Sequence, residues 1–335
     1  MKQLVLFMSL FLCAVFTGIT QVPTYEYVIY QKDDRGTPVA LPDFLVPLKR
    51  LYKEEKSIYN QASRLFVVSD IEGQYDIFKQ LLIAAGIVDN KLNWIFSKGH
   101  LVICGDVFDR GDKVTECLWL IYSLEEKAKA AGGYVHFILG NHEIMNLTND
   151  LRYVNKKYLD LARQKGVPYD TFYNNQTELG LWLRTKNIME KVGDLLFLHG
   201  GVSAYINELG QPIHLINKLT RPYYDSREDS VPPVVQLLLG DDGPFWYRGY
   251  FTTPPANRSQ VDSTLRLFHV RKIIIGHTPV ERITPFFSGK VINVDVPHAK
   301  GASEGLLIEN KKYYRVTLNG TKTLLEFSKV EKQSF

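Results

Sequence analysis

Cysteine is nearly missing from this 335-residue chain: only Cys13, Cys104 and Cys117 occur. With Cys13 inside an N-terminal leader, two remain, too few for a disulfide framework, and no cysteine pair offers a zinc ribbon. Both lie in apolar stretches and read as buried thiols rather than a bridge, because one closes a strand and the other sits inside the next helix. Runs of one charge are missing too. The 40 basic and 36 acidic residues are interspersed and leave a formal net charge of +4, which excludes the basic footprint of a nucleic-acid binder. After the first twenty residues no stretch reaches the roughly 18 apolar residues that a membrane-spanning helix needs. No internal repeat and no low-complexity segment is seen.

What is present begins with Met1-Lys2-Gln3 and the apolar run Leu4 to Thr20. One positive charge, an apolar stretch and small residues at its end are the layout of a secretory signal peptide. Residues 1–20 are therefore expected to be a leader, and the mature chain to be periplasmic or secreted without a membrane span. Residues 21–64 mix prolines, charges and tyrosines without steady periodicity and read as a lead-in wrapped on the surface. At 45% hydrophobic and 23% charged, the remainder can bury a substantial core.

From Leu65 onward, short β-rich apolar runs recur at Leu65 to Ser69, Leu101 to Cys104, Val135 to Leu139 and Leu195 to Leu198. Helical patterns over Tyr75 to Ala85 and Val114 to Ala131 separate the first three, so the opening half reads as β-α-β-α-β with a parallel sheet. A strand-rich tail begins at Lys272 and reads as a second sheet. The stretches 153–186 and 220–255 read as insertions, where substrate selection is expected because loops beside a rigid site carry specificity.

The strand ends carry the chemistry. Ligands of open α/β sheets bind at strand carboxyl ends, and here those ends read Asp70-Ile71-Glu72-Gly73, Gly105-Asp106-Val107-Phe108-Asp109-Arg110-Gly111, Gly140-Asn141-His142-Glu143, His199-Gly200-Gly201 and Gly276-His277-Thr278. A lone Asp or His after a strand is usually a turn former or cap. Five polar ends in one chain are not explained that way. Carboxylate, carboxamide and imidazole form a mixed O/N donor set suited to Mn, Fe, Zn or Co.

In this order the motifs resemble the phosphoprotein phosphatases of the calcineurin-like metallophosphoesterase superfamily, over about Leu65 to Glu309. A further likeness, through Gly243-Pro244-Phe245-Trp246-Tyr247-Arg248-Gly249, is to the Shewanella-like, bacterial-type serine/threonine phosphatases. The resemblance implies an α/β fold, a four-layer α-β-β-α sandwich over residues 65–330 with the metal site at the strand carboxyl ends. It implies two divalent metal ions, Mn first, with Fe or Zn as alternatives. Asp106 would bridge them, Asp70 would hold the first, and Asn141, His199 and His277 would complete the second. Metals about 3.5–4 Å apart can share a hydroxide for in-line attack on phosphorus. His142 would be the general acid, oriented by Asp109, and Arg110 and Arg248 would grip the phosphoryl oxygens. An Arg248 stacked on Trp246 or Tyr247 is the structural alternative.

Glu72 departs from the pattern, since the family ordinarily places a metal-ligating His there. A glutamate can coordinate directly, bind through a water, or leave the first position empty; the first two readings are favoured. Asp295 is a candidate partner of a ligand; His298, at a strand end that can come near the metals, is assigned no ligand role, and His100, His136, His214 and His269 read as packing or surface residues. The function expected is hydrolysis of a phosphomonoester on a protein or small molecule. The alternatives are a phosphodiesterase or dinucleotide polyphosphate hydrolase, and a degenerate phosphate-binding protein.

Overall fold

A computed structural model describes residues 39–40, 44–46, 48–49, 51–227, 230–301 and 303–327; the leader and Cys13 lie outside them. In chain order the strands are β1 (Val39–Ala40), β2 (Leu45–Val46), β3 (Ile58–Tyr59), β4 (Arg64–Val68), β5 (His100–Cys104), β6 (Tyr134–Ile138), β7 (Met189–Val192), β8 (Leu195–Leu198), β9 (Lys272–Ile275), β10 (Thr284–Phe286), β11 (Val291–Asn293), β12 (Glu304–Glu309), β13 (Lys312–Thr317) and β14 (Lys322–Leu324). The helices that matter for the site are α1 (Tyr75–Ala84), α2 (Val114–Ala130) and α3 (Asn141–Leu147).

Side-chain alternation makes the layers. Leu65 and Val67 of β4, Val102 and Cys104 of β5, Leu195 and Phe197 of β8 and Ile274 of β9 pack together in one apolar cluster between two sheets. Their neighbours Phe66, Val68, Leu101, Ile103, Leu196, Leu198, Ile273 and Ile275 belong to the cluster that includes the helices' buried side chains. The result is a mixed α/β fold with two stacked sheets and helices outside them. One sheet has the order β14-β13-β12-β4-β5-β6 and the other β10-β11-β9-β8-β7-β3. As the periodicity predicts, β4, β5 and β6 are parallel and are joined by α1 and α2.

The strands after Lys272 do not form a sheet of their own, which corrects the expectation. β9, β10 and β11 extend the sheet of β8, whereas β12 crosses back and pairs antiparallel with β4, Leu306 opposite Val67. β12 is apolar on both faces, with Leu306 and Ile308 in the inter-sheet cluster and Leu307 in the outer one. Such a strand needs an interior position, and the exposed β14 takes the edge. No described helix is long and apolar enough to cross a membrane. Cys104 and Cys117 are buried free thiols.

The described part of the lead-in is built into the fold rather than laid over it. β3 pairs with β7, Ile58 opposite Lys191. Lys49 forms an ion pair with the buried Glu125. Lys186 Nζ, on a side chain only 1% exposed, lies 2.6 Å from Glu125 Oε1 and 3.1 Å from Glu55 Oε1. Burial works against the Lys186 charge, but Glu125 and Glu55 outweigh it and raise its pKa. Lys186→Met keeps the volume and removes the charge, and is expected to cost about 3 kcal/mol in a denaturant titration. That is the lower end for breaking a buried pair, because Lys49 still faces Glu125.

Candidate metal centre

All five polar strand ends meet at one end of the sandwich. β4 runs into Asp70 and Glu72, β5 into Asp106, Asp109 and Arg110, β6 into Asn141 and His142 at the start of α3, β8 into His199 and β9 into His277. The chain turns sharply to present them. Asp70, Glu72, Asp106, Asp109, Arg110 and His277 all have left-handed backbone angles, φ between 48° and 73°, a region that few residues other than glycine enter without cost. The first two turns are fastened together: the amides of Asp70, Glu72 and Gly73 donate to the carbonyls of Gly105, Asp106 and Val107 at 2.9–3.0 Å. Close approach explains Gly105, where a Cβ would lie 2.6 Å from His199 Nδ1 and 2.7 Å from Gly140 Cα.

The tautomers follow from hydrogen bonds on the outer side of each ring. His199 Nδ1 lies 2.7 Å from the Cys104 carbonyl, so it carries the proton and Nε2 presents a lone pair. His277 Nε2 lies 3.0 Å from the Trp246 carbonyl, which leaves Nδ1 as the acceptor, with Arg248 Nη2 3.4 Å away. Around His199 Nε2 stand Asn141 Oδ1 at 3.0 Å, Asp106 Oδ2 at 3.0 Å and His277 Nδ1 at 3.1 Å. Four buried acceptors therefore point at one another. Such a cluster is repulsive unless a positive charge sits at its focus, and a proton or a cation can serve. Burial disfavours a proton on His199, yet the Asp106 carboxylate, Asp70 and the Cys104 carbonyl together outweigh burial and push the pKa up to about 10. A divalent cation satisfies all four acceptors at once, and the donor set of two imidazoles, a carboxylate and a carboxamide suits one.

A second group shares one member with the first. Ligand atoms of Glu72, Asp106 and His142 lie within 4.8 Å of one another, as do those of Asp106, His199 and His277. Asp106 thus stands where a bridging carboxylate would. Asp70 is buried beside them and its Oδ2 accepts the His277 amide at 3.1 Å. Burial, with Asp106 adding to it, pushes the Asp70 pKa up to about 6. His142 Nε2 is 3.7 Å from Asp106 Oδ2, and its Nδ1 is 2.5 Å from Asp109 Oδ2.

A sequence model of the calcineurin-like phosphoesterases matches residues 63–281, most of the chain. The protein belongs to that family. The solved cold-active protein-tyrosine phosphatase of a psychrophilic Shewanella species is 36% identical, with a TM-score of 0.81 over 86% of this chain and 90% of that one. Shewanella-like protein phosphatase 1 of Plasmodium berghei is 26% identical over 79% of this chain and 76% of its own. Shewanella-like protein phosphatase 2 of Arabidopsis thaliana is 26% identical over 74% of each. The protein is accordingly a metal-dependent hydrolase of phosphoesters.

In this phosphoesterase the two arginines stand on the rim, each already engaged. Arg110 forms an ion pair with Glu72. Arg248 Nη1 donates to the His277 carbonyl and lies 3.3 Å from Thr278 Oγ1; it is held by the metal-site turn. Asp295 is buried near the centre, where burial and the Asp70 charge push its pKa up to about 9. His298 is buried between Ser303 Oγ at 2.7 Å and the Ser69 carbonyl at 3.1 Å, so it braces the turn into Asp70. His136 is a packing residue, 2.6 Å from Glu190 and 2.9 Å from His100.

Three further residues shape the site without having been singled out from sequence. Asn146 donates to Asp109 Oδ1 at 2.8 Å and accepts from the Tyr169 hydroxyl at 2.5 Å. Glu143 is fully buried and accepts from the amides of Gly140, Asp106, Val107 and Phe108 at 2.6–3.2 Å. A glutamate at the third position of α3, whose carboxylate reaches back to the amide of the N-cap Gly140, is the signal that points to it; Asn146, one turn after His142, carries a weaker one, and Tyr169 none. Because Glu143 holds the turn that aims Asp106, Glu143→Gln sets an NH2 against those amides. It is expected to weaken divalent-metal affinity by about 10–100-fold, read by calorimetry, with the unfolding midpoint as the check on folding.

Proposed function

We propose that the protein hydrolyses phosphomonoesters borne on protein side chains, of the serine/threonine phosphatase type or on tyrosine, with Mn as the preferred metal. The observation that carries the reading is the cluster of Asp106, Asn141, His199 and His277 acceptors, with the Asp70 and Glu72 carboxylates beside it and two arginines on its rim. Kinship with phosphatases named for protein substrates supports the choice of a protein-borne ester. The apolar N-terminus supports export to the periplasm or medium.

Asp106, Asn141, His199 and His277 would hold one cation, and Asp70, Asp106 and Glu72 the other. When bound, the cations would supply a water deprotonated near neutral pH and positive charge against the phosphoryl oxygens. Arg110 and Arg248 would bind those oxygens through paired, charge-assisted hydrogen bonds. As the new P–O bond forms, the bond from phosphorus to the ester oxygen breaks and its electron pair leaves on that oxygen. His142 Nε2 gives the leaving oxygen its proton, and Asp109 on Nδ1 fixes the ring and stabilises the imidazolium. Burial lowers the proton affinity of His142, but Asp106 and Asp109 together outweigh it and raise the pKa above the ordinary value.

Purified, Mn-loaded protein is expected to turn over phosphopeptide monoesters and to lose activity on chelation, with Mn restoring it. Turnover confined to diesters or dinucleoside polyphosphates would sink the proposal. Since the acid must be protonated, kcat is expected to fall as pH rises through the His142 pKa. Asp109→Asn removes a charge that raises that pKa, so the alkaline limb of the pH profile should move to lower pH as kcat drops.

A further inference from the structure

Of the large apolar side chains exposed among the described residues, Tyr153 is the one whose ring meets a residue of the centre. It is 45% exposed and lies in the loop after α3. Its carbonyl accepts the Arg110 amide at 2.9 Å, which ties its backbone to the turn carrying Asp109 and Arg110. Its ring centroid lies 5.2 Å from that of His142, the planes 51° apart. The guanidinium groups of Arg110 and Arg152 stand 5.6 and 5.8 Å from the same centroid. Arg152 is fixed in turn by Asp150, with Nη2 2.7 Å from Oδ2. An aromatic face is thus positioned at the rim, beside the proton donor and one of the phosphate-binding arginines.

Resting on the proposed function, this placement bears on the leaving group. His142 Nε2 must come within hydrogen-bond reach of the ester oxygen, about 3 Å. When that oxygen belongs to a phenol, the aromatic ring follows one bond later, and a ring beside His142 falls in the range of about 4.5–7 Å over which aromatic pairs attract. A serine or threonine ester presents one or two aliphatic carbons there and no face to stack. We infer that Tyr153 is a specificity-determining residue that selects aryl phosphoesters, phosphotyrosine side chains among them, over alkyl phosphoesters.

Two measurements test this on the Mn-loaded, full-length protein. For peptides of one sequence bearing phosphotyrosine or phosphoserine, Tyr153→Ala is expected to raise KM about five- to tenfold for the phosphotyrosine peptide. kcat should hold, and the phosphoserine peptide should change less than about twofold, which also reports that the variant folds; Tyr153→Phe should keep the preference. By calorimetry, phenylphosphonate should bind the wild-type protein several-fold tighter than ethylphosphonate, and Tyr153→Ala should abolish the difference. The inference is overturned if the variant impairs both peptides alike, if it leaves the aryl preference intact, or if the wild-type protein has none. Absence of monoester turnover alongside an intact, Tyr153-dependent phosphonate preference would instead overturn the proposed function and leave this inference standing.

Discussion

Lone pairs brought face to face set the terms for the rest of the molecule. Asp106 and Asn141 come from the ends of β5 and β6 in one sheet, and His199 and His277 from β8 and β9 in the other. The electrostatic focus therefore lies on the seam between the sheets, where mutual repulsion would otherwise part them. Two sets of contacts oppose it. The inter-sheet side chains, Leu65, Val67, Val102, Phe197 and Ile274 among them, are buried completely or nearly so, and each contributes about 1.5–3 kcal/mol through its burial. Nearer the focus, the outer nitrogens of both imidazoles are tied to the carbonyls of Cys104 and Trp246. The rings cannot swing away, so the site is pre-set for a cation instead of being assembled by one.

That constraint also accounts for what was readable in the linear sequence. The convergence of the polar strand ends was legible because each closely follows an apolar run of four or five residues, and the strands that carry them end at a common rim. The helices α1 and α2 were legible for the same local reason, a clear period between two turn signals. Pairing over long distances was not. Nothing within Gly305 to Ile308 says that its partner is β4, more than two hundred residues earlier, and not the adjacent β11; burial on both faces decides it only when both sheets exist. β3 is two residues long, too short for any period to show. Glu143 was visible as part of a motif, but its four amide donors come from turns that the sequence does not place.

Glu72 is the point where this centre's charge differs most from what its motifs lead one to expect. Exchanging an imidazole for a carboxylate beside Asp70 and Asp106 adds a negative charge to a pocket already rich in it. Arg110 compensates, and the manner of compensation matters. Its side chain is 49% exposed and that of Glu72 16%, so solvent screens the pair and separating it costs far less than breaking a buried one. In the proposed reaction both partners have other calls on them: Glu72 toward a cation shared with Asp70 and Asp106, Arg110 toward the phosphoryl group. A buried pair such as Lys186 with Glu125 would lock both side chains. A half-exposed pair instead holds each group near its working position and yields when a stronger partner arrives, which is how a carboxylate can occupy this turn without closing the site to phosphate.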